Sequence, residues 1–357
     1  MQQGRTITVK SVEKLTADSV SIHLDIPSEL KEAYAYTHGQ YITLEASIDG
    51  KLIRRSYSLY TSPSEGSWKV AVKRIPGGVF STFAVETLKA GDALTVFPPD
   101  GNFYIPIDDT KEKNYAAFAA GSGITPILSI MKSHLLGESE SHFKLFLLNR
   151  SVSSIILREE IEGLKNAFLT RSEIIYFLTR QQRQNPLFNG RFTPEKITQL
   201  SEQFFDPKQT DAFFLCGPQE MVMTIQDTLT QMGVPKEKIH SELFFTSENG
   251  ETKKEIQEIL EHRSDVSTIH VIAGERKMEV PMSKSQESIL DAALDYQADL
   301  PYACKGGVCC TCKAKLVEGE VQMKLNYGLE DHEVEAGFIL TCQAIPITES
   351  VTVDFDI

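Results

Sequence analysis

The chain has 357 residues, 41% hydrophobic and 24% charged, with a net charge of −13 and six cysteines. That length suits two or three domains, no apolar run approaches the ~18 residues of a membrane span, and the acidic balance argues against nucleic acid as a partner. The opening Met1-Gln-Gln-Gly-Arg5 lacks the apolar stretch of a secretory signal, so a cytoplasmic protein is expected.

Residues 5–104 alternate as short strands broken by turns, at Thr6–Lys10, Ser19–Ile26, Gln40–Glu45, Ile53–Leu59, Trp68–Arg74 and Ala93–Phe97. Six strands at such spacing predict a small antiparallel barrel. Two of its segments carry chemistry. Arg54-Arg55-Ser56-Tyr57-Ser58 can offer a cation, a flat ring and a hydroxyl to one flat, phosphorylated ligand. Lys73-Arg74-Ile75-Pro76-Gly77-Gly78 then leads into a helical run over Val79–Leu88. A helix starting after a Gly-Gly turn presents amides and a positive dipole end to a pyrophosphate, with Ser81 and Thr82 as added hydroxyls. Alone, either segment is as well explained by an ordinary sheet face or turn.

Together and in this order they resemble the ferredoxin–NADP reductase superfamily. Its flavin motif R-x-Y-S is matched by Arg55, Tyr57 and Ser58, and its Gly-Gly-x-x-Ser by Gly77, Gly78 and Ser81. The resemblance implies FAD, with Tyr57 on the isoalloxazine, Ser58 near N5 and Arg55 on the pyrophosphate; Lys73 and Thr82 join the expected cofactor contacts. One departure is His38-Gly39-Gln40-Tyr41, where the family often has Pro-Gly-Gln-Tyr.

After a polar linker, Ile105–Asn114, strand and helix alternate: strands at Tyr115–Ala120, Phe143–Leu148, Glu173–Thr179 and Ala212–Cys216, helices at Pro126–Leu136, Ser154–Phe168, Pro194–Phe204 and Pro218–Met232. That rhythm calls for a parallel sheet covered on both faces. Gly121-Ser122-Gly123-Ile124-Thr125-Pro126, at the first strand-to-helix junction, has two glycines of the dinucleotide fingerprint and places Pro126 at a helix N1 position. It matches the superfamily's Gly-x-Gly-x-x-Pro. Arg150, Ser151, Thr179, Arg180 and Arg191 gather guanidinium and hydroxyl groups at the strand ends, which suits a 2′-phosphate and hence NADPH; a merely solvated edge is the alternative. By resemblance Thr179 and Arg180 recognise that phosphate. Cys216-Gly217-Pro218 resembles the family's segment at the nicotinamide, which makes Tyr57, Ser58 and Cys216 the candidates at the reacting atoms, Cys216 by positioning only. Glu242-Leu-Phe-Phe245 resembles the segment closing this domain and has no assigned chemistry. Thr246–Val266 reads as a tether with a helix over Lys253–His262.

From Ser267 onward strands are expected at Thr268–Ala273, Lys277–Val280 and Val351–Phe355, a strand and turn over Ala314–Val321, and a helix at Ser288–Gln297. Five of the six cysteines crowd into this last quarter, the distribution of a metal site and not of a disulfide framework. Cys304, Cys309 and Cys312 have C-x4-C-x2-C spacing, answered by Cys342, the ligand pattern of a plant-type [2Fe–2S] ferredoxin. Gly306 and Gly307 let the loop curl round the inorganic sulfides. A zinc knuckle and a buried set of free thiols are the alternatives, the first disfavoured because only one C-x2-C clip is present, the second because it leaves the glycines unexplained. Cys310 has no ligand role in this pattern and is expected to pack beside the cluster. Residues 267–357 carry 15 acidic and 7 basic side chains, a balance suited to docking on a basic protein partner.

The fold class is thus multidomain β, α/β and α+β: a flavin-binding barrel (1–108), a parallel-sheet NADP-binding domain (113–246), a linker (247–266) and a β-grasp ferredoxin domain (267–357). NADPH delivers two electrons at once and a [2Fe–2S] cluster takes one, so a flavin must divide the pair. The expected activity is NADPH-dependent electron transfer through FAD and the cluster to an oxygenase component. The stretch Glu320–Gln343 resembles most the reductases of phenylacetyl-CoA ring-epoxidising monooxygenases. Other oxygenases, hydroxylases or desaturases as acceptors, and a non-catalytic redox-responsive binding protein, are the rival readings.

Overall fold

The computed structural model describes residues 4–245, 266–274 and 276–356. In β1 (Arg5–Thr16), Ile7 and Val9 turn inward while Thr6 and Thr8 face out, as period-two alternation requires. With β2 (Ser19–Asp25), β3 (Tyr41–Ile48), β4 (Lys51–Ser58), β5 (Trp68–Lys73) and β6 (Ala93–Val96) it forms an antiparallel sheet of order β4-β3-β6-β1-β2-β5. A bridge from Leu59 to Val70 joins the end of β4 to β5 and closes the sheet. β1 runs well beyond Lys10 because it pairs with two strands, β6 along Arg5–Thr8 and β2 from Thr8 to Thr16. α1 (Val79–Glu86) packs Phe80 into the barrel core beside Ile42, Leu44 and Val72.

The next sheet is parallel, with β7 (Asn114–Ala120), β8 (His142–Asn149), β9 (Ser172–Leu178), β10 (Ala212–Pro218) and β11 (Ile239–Phe245) in the order β11-β10-β7-β8-β9. Successive residues feed opposite cores: Tyr115, Ala117, Phe214 and Cys216 one, Ala116, Phe118, Phe213 and Leu215 the other. Burial on both faces explains why these strands read as unbroken apolar runs. The connecting helices are α2 (Ile124–Gly137), α3 (Arg158–Ala167), α4 (Pro194–Gln203) and α5 (Gln219–Gln231).

The helix expected from Ser154 begins only at Arg158. Ser151 and Ser154 cap one another round a short turn, and Leu157 takes φ 55°. Serine hydroxyls here outcompete the helical backbone, and Ile155, Ile156 and Leu157 are buried as a connection instead. Pro126 is likewise the third residue of α2 and not the first; it still lies in the turn whose amides need no helical acceptor.

The chain divides into two compact units, and both sheets above belong to Gln3–Phe245. In the second unit lie β12 (Val266–Ala273), β13 (Arg276–Ser283), α6 (Ile289–Asp295), β14 (Lys313–Glu318), β15 (Val321–Met323), α7 (Asp331–Glu335), β16 (Phe338–Leu340), β17 (Ala344–Pro346) and β18 (Ser350–Asp354). The sheet order is β13-β12-β18-β14-β16, with β15 and β17 as a separate pair. Ser288 caps α6 by accepting from the Asp291 amide. Of the tether expected over Thr246–Val266, Val266 instead begins β12, and the rest, with the helix expected at Lys253–His262, lies outside the described residues. Among the described residues no helix is long and apolar enough to cross a membrane.

Candidate functional site

β4 presents Tyr57 half-buried, its ring 5.6 Å from that of Phe80, while Ser58 is buried and Arg55 exposed. Burial raises the Tyr57 phenol pKa, opposed by the Arg55 charge. Beyond β5, Gly77 takes φ +76° with open space where a side chain would stand, and Gly78 caps α1. The hydroxyls expected to serve a ligand are engaged locally. Ser81 Oγ accepts from the Ile75 amide at 3.1 Å and Thr82 Oγ1 donates to Gly78 O at 2.7 Å. The groups left to receive an anion are the backbone amides of the first turn of α1. Lys73 pairs with Asp18, 3.7 Å away.

Glu242 meets Ser58 from the parallel sheet. The Ser58 hydroxyl donates to its carboxylate over 3.5 Å, and β10–β11 pairing sets Glu242 opposite Cys216. Part of Glu242 reaches solvent, yet burial pushes its carboxyl up to about 8, against the pull of the Ser58 bond. Cys216 is fully buried, and burial, then the Glu242 charge, push its thiol well above the ordinary range. Ser58 and Cys216 are thus brought to one place, joined by an acid that motif reading passed over. The available signal was the one carboxylate of β11, set immediately before the apolar Leu243-Phe244-Phe245.

The Gly121–Pro126 loop abuts the same place. A Cβ on Gly123 would stand 2.2 Å from Cys216 O and 3.0 Å from the Gly217 amide, so only glycine permits the two loops to touch. Gly121, at φ +55°, faces open space, as a turn approached by a phosphate requires. Thr125 Oγ1 is committed to Ser122 O at 3.0 Å. A Cβ on Gly217 would meet the side chains of Met221 and Ala120, and Pro218 caps α5.

At the far edge, backbone bonds from Thr179 to Asn149 (3.0 Å) and from Arg180 to Arg150 (2.8 Å) zip the ends of β8 and β9 together. Arg150, Thr179 and Arg180 are exposed there. Arg191 is exposed too but pairs with Glu220 at 3.1 Å.

In the second unit the cysteine sulfurs fall into two pairs. The Cys304 and Cys309 amides each donate to the other residue's sulfur at 3.5 Å, the Cys312 and Cys342 thiols neighbour one another, and none of the four is in a disulfide. The distant Cys342 is drawn in by its neighbours: Thr341 donates to Cys312 O at 2.9 Å, and Gln343 to Lys305 O at 2.9 Å. Donors converge on sulfur: the Gly306 amide at 3.3 Å and the Cys309 amide at 3.5 Å on Cys304, the Thr311 hydroxyl at 3.2 Å on Cys309, and the Gln343 amide at 3.5 Å on Cys342. Within the Cys304–Cys309 pair the contact with Cys309, opposed by burial and aided by nearby amides, holds the Cys304 thiol below its ordinary range, while the Cys309 thiol is pushed up. Among the described residues no three His, Cys, Asp or Glu side chains converge on one ion site. Two pairs of cysteine sulfurs, met by amide and hydroxyl donors, fit two irons with two protein ligands each.

The curl of this loop differs in detail from expectation. Gly307 takes φ +74° as foreseen, but the other left-handed residues are Lys305 (φ 52°) and Cys310 (φ 54°), not Gly306. Gly306 contributes its amide. Cys310 packs against Gly328, whose absent side chain leaves its sulfur room.

Family comparison covers most of the chain. The oxidoreductase FAD-binding domain model matches residues 6–105, the oxidoreductase NAD-binding domain model 118–227, and the 2Fe-2S iron-sulfur cluster binding domain model 271–346. The chain is 40% identical to a subunit of the 1,2-phenylacetyl-CoA epoxidase of Escherichia coli (strain K12), covering 100% of this chain and 99% of that one. It is 32% identical to the ferredoxin reductase component of the 3-ketosteroid-9-alpha-monooxygenase of Rhodococcus rhodochrous, over 98% and 96% of the two chains. Phthalate dioxygenase reductase shares the fold, with a TM-score of 0.62 at 22% identity over 99% of this chain and 98% of that one.

Proposed function

The chain belongs to the ferredoxin–NADP reductase-like family that carries a C-terminal 2Fe-2S domain, and from that premise we propose that it is the reductase component of a phenylacetyl-CoA ring epoxidase. It is an NAD(P)H-dependent oxidoreductase with FAD-binding and [2Fe–2S]-binding domains. The 40% identity along the whole length to a component of such an epoxidase carries the choice of partner. The steroid monooxygenase relative supports a different oxygenase as the second reading. In this reading the domains span 1–108, 113–246 and 267–357, joined by 247–266, and the protein works in the cytoplasm.

When bound, FAD takes the nicotinamide's electron pair together and the cluster takes electrons singly. The residues divide the remaining work. Tyr57 flanks the flavin ring, with Arg55 and the first amides of α1 on its phosphates. Gly121 leaves room for the dinucleotide pyrophosphate, and Gly123 lets Cys216 and Gly217 close on the nicotinamide. Arg150 and Arg180 hold the 2′-phosphate, which makes NADPH the preferred donor. Ser58 and a protonated Glu242 keep negative charge away from the atoms that receive the hydride. Cys216 packs and forms no covalent bond. Cys304, Cys309, Cys312 and Cys342 ligate the irons, with the surrounding amides setting the potential. The acidic surface of 267–357 favours a basic docking patch on the oxygenase.

Mixing the purified holoprotein with an epoxidase oxygenase component and following NADPH-dependent epoxide formation tests the partner. Turnover supports the assignment. No turnover there, with turnover on another oxygenase, replaces the partner; failure of NADPH to drive even ferricyanide reduction overturns the reductase reading itself.

A further inference from the structure

Helix α2 leaves the dinucleotide loop and runs into the molecule, with every residue from Ile124 to Leu135 buried. Such a helix would ordinarily be apolar throughout, because an unpaired buried polar group is costly. Three polar residues nevertheless lie on one face at i, i+3 and i+4, the spacing that aligns side chains. All three reach one segment of the flavin barrel, Thr61–Glu65. Ser129 Oγ donates to Thr61 O at 2.6 Å, Ser133 Oγ to Ser62 Oγ at 3.1 Å, and Lys132 Nζ to Glu65 Oε1 at 3.1 Å.

The receiving segment is itself fixed. Glu65 Oε1 also accepts from the Ser62 amide at 2.8 Å, and Tyr36 OH holds the Thr61 hydroxyl at 2.8 Å. A second carboxylate, Glu160 of α3, holds Lys132 from the other side at 2.9 Å. Immediately after Ser133, His134 meets the ring of His38, with centroids 4.9 Å apart, and His38 bonds Ile105 O of the linker at 3.0 Å. The histidine that replaces the family's proline thus belongs to the same contact.

Position gives this contact a consequence for the reaction. Ser129 stands four residues, about 6 Å of helix, beyond Thr125 of the dinucleotide loop. Thr61 stands three residues beyond Ser58. The bond between Ser129 and Thr61 therefore ties together the two segments that carry the reacting partners. Apolar packing is non-directional and lets surfaces slide, whereas directional hydrogen bonds set register.

We propose that Ser129 and Lys132 are positioning residues for hydride transfer, fixing the dinucleotide loop against the flavin strand through Thr61 and Glu65. This rests on the reading that a nicotinamide reduces the flavin in this unit, and wild-type reduction by NADPH tests that reading separately. Reacting atoms must sit at about 3–3.5 Å, and about 1 Å of misplacement costs about 100-fold.

The test uses the full-length holoprotein without oxygen, with Lys132→Met, Lys132→Arg and Ser129→Ala compared with wild type. NADPH reduces the flavin in a stopped-flow mixer, giving a limiting rate and a Kd; dithionite, which needs no such alignment, reduces it in parallel. Lys132→Met is expected to slow the limiting rate about 10- to 100-fold, and Ser129→Ala about 10-fold, with Kd shifted no more than about threefold. Dithionite rates stay at wild type, and Lys132→Arg recovers most of the NADPH rate. Amide hydrogen exchange over 59–65 and 121–129 is expected to rise in Ser129→Ala. Where Lys132→Met loses flavin, Ser129→Ala decides alone. Wild-type limiting rates in the variants that retain flavin, or equal slowing with dithionite and NADPH, overturn the proposal.

Discussion

Replacing Gly123 with alanine perturbs the reaction centre through backbone alone. The added carbon would stand 2.2 Å from Cys216 O and 2.6 Å from its carbonyl carbon. An ordinary contact begins at about 3.4 Å, so the Gly121–Pro126 loop and the Cys216–Pro218 loop must part by roughly 1 Å. Neither partner is a flexible side chain that could swing aside. A shift of that size costs about 100-fold in a step that depends on alignment, and about 1–3 kcal/mol of stability from overpacking. Gly121→Ala is the internal contrast. It meets no atom within 4 Å but sits at φ +55°, so it costs about 1–2 kcal/mol of backbone strain and fills space reserved for phosphate. Anaerobic stopped-flow reduction of the flavin by NADPH separates the two. Gly123→Ala is expected to lower the limiting rate about 100-fold, and Gly121→Ala to weaken NADPH binding with a smaller effect on that rate. A wild-type limiting rate in Gly123→Ala, with thermal stability unchanged, refutes the reasoning.

Arg180→Ala should weaken NADPH binding by about 10- to 100-fold, the value of a charge-assisted phosphate contact, while leaving NADH nearly unaffected; equal losses for both would count against the 2′-phosphate assignment. Glu242 binds a proton in the folded state over the window from the usual carboxylate range up to about 8. The folded chain there carries a proton that the unfolded chain has lost, so this group's contribution to stability falls as pH rises through the window. Flavin reduction by NADPH is expected to slow as pH rises through about 8 and to lose that dependence in Glu242→Gln; an unchanged profile in the variant would remove Glu242 from the reaction. Cys310→Ser should keep the full iron content, because its sulfur packs against Gly328, whereas Cys312→Ser should lose iron; loss of iron from Cys310→Ser would make it a ligand.

Local rules carried far in this chain. The cysteine spacing, the Gly-Gly turn before α1 and the Gly-x-Gly-x-x-Pro loop each state a backbone requirement within a few residues; Gly77, Gly121 and Gly307 take the positive φ such turns need, while Pro126 stands third in α2 and Gly306 is not left-handed. What escaped depends on partners far along the chain. Glu242 gains its meaning from Ser58, 184 residues away, and from a neutral state that only burial confers. Ser129 and Lys132 carry no signal of their own in the sequence, because their partners Thr61 and Glu65 lie 68 and 67 residues away. The three-residue strands β15, β16 and β17 are too short for alternation to register. At Ser151–Ser154 the serine hydroxyls close a separate capped turn and the buried Ile155–Leu157 follow as a connection, so α3 starts only at Arg158 and periodicity placed its start too early.

Electron flow from nicotinamide through flavin to cluster is probed most squarely by an anaerobic NADPH titration of the purified chain, read by its absorption spectrum and by iron and acid-labile sulfide analysis of the same sample. Two irons and two sulfides per chain are expected, with flavin and cluster absorbance both bleached by NADPH. A protein free of iron and sulfide, or one whose cluster yields to dithionite and never to NADPH, contradicts that route.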